Sequence, residues 1–260
     1  VTPNIESSAA EQVHVSPSRV EKLLACPLQG FLSSSGGESS DDRGAAHIGT
    51  LIHSIAEELP HGSEAELMAS FERKWRAEFD EPESSYEAYR AYVSAQELVR
   101  NLALYLAAHP EDVETEQRVR VDVSENVALS ASFDRVVRTP DGVVIADFKT
   151  GKVRPTKNEV ADHVQMQLYQ WAASQLSEYG RSAGAELVFL GRLMKRENMP
   201  AVDMQESLDE IGMARATERI NEAARILGAA EFPANPSETT CRNCQFLAVC
   251  PAKPEGRMFS

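Results

Sequence analysis

The stretch 131–152, ASFDRVVRTPDGVVIADFKTGK, admits few ways of folding. Apolar Phe133, Val136 and Val137 precede Thr139-Pro140-Asp141-Gly142, and Val143, Val144, Ile145 and Phe148 follow it. Turn residues between two β-rich runs predict a hairpin. Its first arm carries Asp134 and its second Asp147 and Lys149. Strand side chains repeat every two residues, so Asp147 and Lys149 share a face. Two carboxylates and an ammonium then meet beside an otherwise apolar sheet. Carboxylate oxygens suit a hard divalent cation such as Mg2+ or Mn2+. The lysine could orient or help deprotonate a metal-bound water, or steady the charge on a phosphate under attack. Taken alone, such a D-x-K is most often a surface ion pair. The surrounding chain shifts that balance.

With 260 residues and 42% hydrophobic content, the chain has material for one large domain or two small ones. No apolar run approaches the roughly 20 residues of a membrane helix, and no secretory signal opens the chain, so a cytoplasmic protein without membrane contact is expected. It opens at Val1, with a polar lead-in over 1–14, and reads as a piece of a longer polypeptide. The net charge of -14, from 40 acidic and 26 basic residues, excludes a protein that coats nucleic acid along its whole surface. Basic residues cluster locally, however. Lys152, Arg154 and Lys157 follow Lys149 directly, and Arg192, Lys195 and Arg196 group later. This suits an enzyme meeting a phosphate backbone at one place, with Lys152, Arg154 and Lys157 as candidate DNA contacts.

Ser16-Pro17-Ser18-Arg19 opens a short helix that ends at Cys26-Pro27, and a Ser/Gly/Asp-rich loop runs from Ser33 to Gly44. Helical spacing predicts further helices over Ala45–Leu59, Glu64–Glu78 and Tyr86–Ala108. In the last of these Tyr86, Tyr89 and Tyr92 read as a core stripe. His53 sits beside the apolar stripe of its helix, a place where a lone histidine is usually structural. Strand character begins near Val113 and passes through Val121 into the hairpin, making at least three neighbouring strands. A helix over Glu159–Tyr179, a strand over Ala185–Leu193 and a helix over Ser207–Gly228 follow. No Walker or dinucleotide glycine motif is present, so the chain carries no motor.

Three of the four cysteines, Cys241, Cys244 and Cys250, fall in one short segment. Their thiolates are within reach of one metal centre, and only Cys26 remains as a fourth ligand for zinc or an iron-sulfur cluster. A metal there would staple the two ends of the domain together. After the hairpin, Gln165 and Tyr169 lie four apart on one helix face and could both point at whatever the hairpin binds.

In order, these pieces are His53 within Gly49-Thr50-Leu51-Ile52-His53, Asp134, Asp147-Phe148-Lys149 and Gln165-x3-Tyr169, bracketed by Cys26 and the cysteine trio. This series resembles the RecB-like branch of the PD-(D/E)XK nucleases, in the iron-sulfur form found in AddB and in the AdnA and AdnB helicase-nuclease subunits. The opening VSPSRVEKLLACPLQGF is similar to the start of those modules, and the resemblance spans 15–251. It implies an α/β fold with a mixed sheet flanked by helices, a helical insertion over 57–110, and a tail over 252–260. By the same resemblance, His53, Asp134 and Asp147 would be ligands to Mg2+ or Mn2+ and Lys149 the catalytic lysine. Gln165 and Tyr169 would support the active site and position DNA. Cys26, Cys241, Cys244 and Cys250 would hold a structural [4Fe-4S] cluster.

The function this implies is metal-dependent hydrolysis of DNA, as single strands or unwound duplex ends, during double-strand break processing. A helicase motor in the same polypeptide and a partner helicase-nuclease subunit would accompany it, and the insertion would face that partner. Two other readings are a stand-alone exonuclease of the CRISPR-associated type and a DNA-binding scaffold with an idle site. The intact series of acidic, lysine, glutamine and tyrosine residues argues against the idle scaffold.

Overall fold

The expected hairpin is the centre of the structure, a computed structural model that describes residues 12–35, 40–79, 81–110, 113–229, 231–242 and 244–253. Strands β3 (Val127–Thr139) and β4 (Gly142–Lys149) pair antiparallel, and the two-residue loop Pro140-Asp141 closes Thr139 onto Gly142. Gly142 has φ +134°, and a Cβ there would lie 2.2 Å from the Arg181 carbonyl oxygen. That oxygen accepts the Val143 N–H at 2.9 Å. Glycine is required at this corner because the turn and the neighbouring chain occupy the same space.

Around the hairpin the sheet is mixed. Strand β1 (Val13–Val15) runs parallel to β3, and β2 (Val113–Ser124) pairs antiparallel along the opposite edge of β3. Strand β5 (Ser182–Met194) runs parallel to β4, and β6 (Met199–Glu206) closes the order β1-β3-β4-β5-β6 antiparallel to β5. Because β4 is covered on both faces it reads as an almost unbroken apolar run. Ile145 faces one core, with helices α1 (Pro17–Ala25), α7 (Val164–Ser174) and α8 (Glu210–Ala229). Ala146 and Phe148 face the other, built by α3 (Ser40–Glu58), α4 (Glu64–Glu78) and α5 (Tyr86–Ala108). The segment 57–110, read as an insertion, thus supplies much of one helical layer. No helix among the described residues is long and apolar enough to cross a membrane.

Several boundaries differ from the sequence reading. The first helix ends at Ala25 with Cys26 as its C-cap, as read, but Pro27 at once opens α2 (Pro27–Ser34) and α3 begins at Ser40, so much of the stretch read as a loop from Ser33 to Gly44 is helical; its residues 36–39 lie outside the described ones. So do 1–11 of the lead-in and 254–260 of the tail. Tyr86 and Tyr89 are 70% and 56% exposed, so the aromatic stripe enters the core only from Tyr92, which packs on Phe71 and Trp75. Strand β6 was not foreseen, because Met199-Pro200-Ala201-Val202 is too mixed to signal a strand, and proline is tolerated there at a sheet edge.

The helix expected over Glu159–Tyr179 is broken. A capping box between Thr156 and Glu159 starts α6 (Lys157–Ala161), and a new helix, α7, begins at Val164. At the break, the Val160 carbonyl accepts the His163 N–H at 3.2 Å and the His163 carbonyl the Gln167 N–H at 3.1 Å, and both take further support from outside. The Gln205 side-chain amide donates to the carbonyls of Val160, Ala161 and His163 at 2.7, 3.2 and 3.4 Å. Arg219 holds Asp162 at 2.8 Å. Polar groups from β6 and α8 therefore stabilise an interruption that periodicity alone does not reveal.

Gly142→Ala should lower stability by about 1–3 kcal/mol, since a side chain at this φ is strained and meets backbone. Urea unfolding would measure it, and an unchanged midpoint would show that the corner relaxes freely.

Candidate active site

The β3–β4 ladder stops at Arg135↔Ala146. Beyond it, the Phe148 N–H donates to the Asp134 side chain, Oδ2, at 2.7 Å, where a backbone carbonyl would otherwise accept. The strands diverge, and the gap receives the acidic residues of both arms.

On the α7 side, Asp147 is 4% exposed. Its Oδ1 accepts from Tyr169 Oη at 2.9 Å and Gln165 Nε2 at 3.1 Å, and its Oδ2 faces Lys149 Nζ at 2.8 Å. Gln165 Oε1 accepts from Lys149 Nζ at 2.8 Å, and Gln165 Nε2 also reaches Tyr169 Oη at 2.7 Å. Helical spacing stacks Gln165 above Tyr169, and strand alternation sets Lys149 beside Asp147. The four side chains close a ring. Phe133 packs edge-on against Tyr169, with ring centroids 5.6 Å apart.

On the other side, His53 of α3 brings Nδ1 to 3.0 Å from Asp134 Oδ1. A third group joins them. Ligand atoms of His53, Glu116 and Asp134 lie within 4.8 Å of one another, the only such cluster of three metal-ligating groups among the described residues. Glu116, on β2, has φ +46° and accepts from Ser132 Oγ at 2.9 Å. A glutamate in the left-handed region is uncommon, and such backbone gathers at functional sites. The sequence reading missed Glu116, because only the register, with Thr115↔Arg135 and Gln117↔Phe133, sets it opposite Asp134.

Burial acts on these groups in opposite senses. It would lower the His53 pKa, but the hydrogen bond and charge of Asp134, with Asp147 and Glu116 behind, hold the imidazole above its ordinary value. Burial raises the Asp134 carboxyl, and the Asp147 charge adds to that, against the opposing pull of His53 and the Phe148 N–H. Burial and the Asp147 charge push Tyr169 well up, so the phenol keeps its proton and donates. Two carboxylates and an imidazole nitrogen in a partly open site are a donor set that fits a hard divalent cation. Asp147 stands next to that cluster, its oxygens turned to the ring.

In sequence, residues 14–251 match the PD-(D/E)XK nuclease superfamily. The chain belongs to that superfamily. In this PD-(D/E)XK chain the D-x-K lies where β3 and β4 part. In fold this PD-(D/E)XK chain is similar to the crystal structure of a candidate exonuclease from Eubacterium rectale, with a TM-score of 0.51 and 10% identity, covering 94% of this chain and 91% of that one. The crystal structure of SSO0001 matches with a TM-score of 0.45 and 15% identity, over 95% and 90% of the two chains. No curated protein matches in sequence.

The remaining predicted residues lie elsewhere in the PD-(D/E)XK domain. Arg154 is committed to Asp203, through Nε at 2.9 Å and a second nitrogen at 2.5 Å, while Lys152 and Lys157 are exposed. The four cysteines form no disulfide, and they do not form a mutually close set of the size that tetrahedral zinc draws together. The two ends of the domain nevertheless meet. Asn235 donates its N–H to Cys26 Sγ at 3.4 Å and its side chain to the Ala25 carbonyl at 3.1 Å, and Phe31 stacks on Phe232 at 4.3 Å.

Both His53 and Asp134 hold protons more tightly folded than unfolded, so stability without metal falls as pH rises through their raised values. A cation must displace those protons. Mn2+ should therefore stabilise the protein, by about 2.7 kcal/mol once free metal reaches about 100 Kd, and at a fixed metal concentration should do so more at pH 8 than at pH 6. Thermal unfolding with and without Mn2+ checks this. A stabilisation that is flat with pH, or that survives in Asp134→Asn, would place the metal elsewhere.

Proposed function

We propose that the chain is a metal-dependent deoxyribonuclease module that hydrolyses phosphodiester bonds in single strands or unwound duplex ends. The observation that carries this is the closed ring of Asp147, Lys149, Gln165 and Tyr169 abutting the His53, Glu116 and Asp134 cluster. His53, Asp134 and Asp147, joined by Glu116, would hold Mg2+ or Mn2+. Such an ion supplies charge stabilisation at the scissile phosphate and lowers the pKa of a bound water.

The chain's own groups do the positioning. Asp147 and Gln165 fix the Lys149 ammonium from two directions, and that side chain remains about one-third exposed, so its charge can meet the attacking water or a phosphoryl oxygen. Gln165 orients both partners through one amide, its oxygen toward Lys149 and its nitrogen toward Asp147. Tyr169 donates to Asp147, which leaves that carboxylate's remaining lone pairs for a cation. Lys152 and Lys157, both exposed, are available to DNA phosphates; Arg154 could contribute only by releasing Asp203.

In the same reading, Cys26, Cys241, Cys244 and Cys250 hold a structural [4Fe-4S] cluster. The contacts from Asn235 to Ala25 and Cys26 already bring the C-terminal segment to the first helix. The module would act in the cytoplasm beside a helicase motor and a partner helicase-nuclease subunit at double-strand breaks. A stand-alone exonuclease is the second reading, supported by the fold match that spans 91% of the candidate exonuclease.

On end-labelled single-stranded DNA with Mg2+ or Mn2+, Lys149→Ala should lower kcat by about 10²–10³-fold, the scale for losing one preorganised charge donor. Cutting that persists in this variant, or in excess chelator, would sink the proposal. Anaerobically purified protein should be brown with about four irons, and Cys26→Ala should destabilise the domain. A colourless, zinc-loaded protein would overturn the cluster.

A further inference from the structure

Strand β3 outruns its neighbours. One edge is paired by β2 from Val127 to Val137. The other is paired by β1 only at Val127–Leu129 and by β4 only at Arg135–Thr139. Between them, 130–134 form an unpaired edge that ends at Asp134.

A cleft of about 490 Å³ opens there. Ser16 and Ser18, at the start of α1, form one wall, and Tyr169 of the catalytic ring also lines it. Arg118, Arg120, Ser130 and Ser132 line it as well, with Val119 and Ala131 between them. Register pairs Arg118 with Ser132 and Arg120 with Ser130, so guanidinium and hydroxyl groups stand side by side on one face. Ser132 reaches Glu116, which ties the first step of this ladder to the His53 and Asp134 cluster. Successive steps are two residues apart, about 6.8 Å along a strand, close to the phosphate repeat of an extended nucleic-acid strand. Arg118 and Arg120 are exposed; among the described residues Arg118 has no ion pair or hydrogen bond, and Arg120 leans on Gln12, with Asp122 3.9 Å away.

We propose that this cleft is the track for single-stranded DNA, with Arg118 and Arg120 anchoring two successive phosphates beyond the scissile position. Guanidinium, hydroxyl and free backbone groups read phosphates rather than bases, so binding is indifferent to sequence. On a chain of net charge -14 the track is a local basic strip, while Glu116 at its inner end belongs to the cation cluster. The inference rests on the nuclease reading and adds the route of the strand.

Equilibrium binding of a fluorescent oligothymidylate in chelator tests the track without catalysis. The double variant Arg118→Ala/Arg120→Ala should weaken binding about tenfold and lower the slope of log K against log salt by about 1.4, at about 0.7 per phosphate on single strands. Arg181→Ala, which removes the same charge at an exposed site by the β3–β4 turn, should change neither. With metal, the double variant should raise KM for the oligonucleotide while kcat holds within about twofold, the pattern of lost ground-state binding. A double variant that binds like Arg181→Ala, a wild type that does not bind the oligonucleotide, or equal Arg118- and Arg120-dependent binding of blunt duplex would each overturn the proposal. Weakened binding in the variant with no cleavage by wild type would uphold the track and refute the nuclease reading.

Discussion

Everything in the site depends on where the central ladder stops. The Asp134 carboxylate takes the Phe148 N–H that a strand partner would otherwise have taken. A buried amide must be satisfied somewhere, and satisfying it with a side chain lets β3 and β4 part without leaving an orphan donor. The parting creates the space in which Asp134, turned to His53, and Asp147, turned to the ring, stand close enough to feel each other's charge. It also leaves the free edge of β3 beside Tyr169.

That space is electrostatically loaded. Three carboxylates, Glu116, Asp134 and Asp147, converge on one ammonium and one imidazole. Like charges and burial raise Asp134, and the same negative field raises His53. The protein tolerates this because each acid has a separate support: Ser132 for Glu116, Phe148 N–H and His53 for Asp134, and the ring for Asp147. A site so short of positive charge is arranged for something cationic to complete it.

How much of this was legible depended on the distance over which each signal acts. The hairpin, the pairing of Asp147 with Lys149 and the stacking of Gln165 on Tyr169 follow from periods of two and four, so short-range rules recovered them. His53 became meaningful only in combination with the other motifs, because nothing within α3 marks it. Glu116 was invisible: its role comes from a cross-strand register and a left-handed backbone, neither of which a single segment encodes. The exposure of Tyr86 and Tyr89 was misjudged because helical periodicity says which residues share a face, not whether another element covers it. Arg154 looked like open basic ground until β6, itself unforeseen, supplied Asp203.

The amide of Gln205 has a mechanical consequence. It belongs to the outermost strand, yet it holds the carbonyls at the break from which α7 sets out toward Gln165 and Tyr169. The start of that helix is thereby moored to the rim of the sheet through Gln205 as well as to its middle through Gln165. β6 presents Val202 and Met204 to solvent, 36% and 50% exposed. Gln165, which holds the lysine ammonium, lies only two residues beyond His163, so a single side chain and the first turn of α7 link this margin to the reactive end of Lys149.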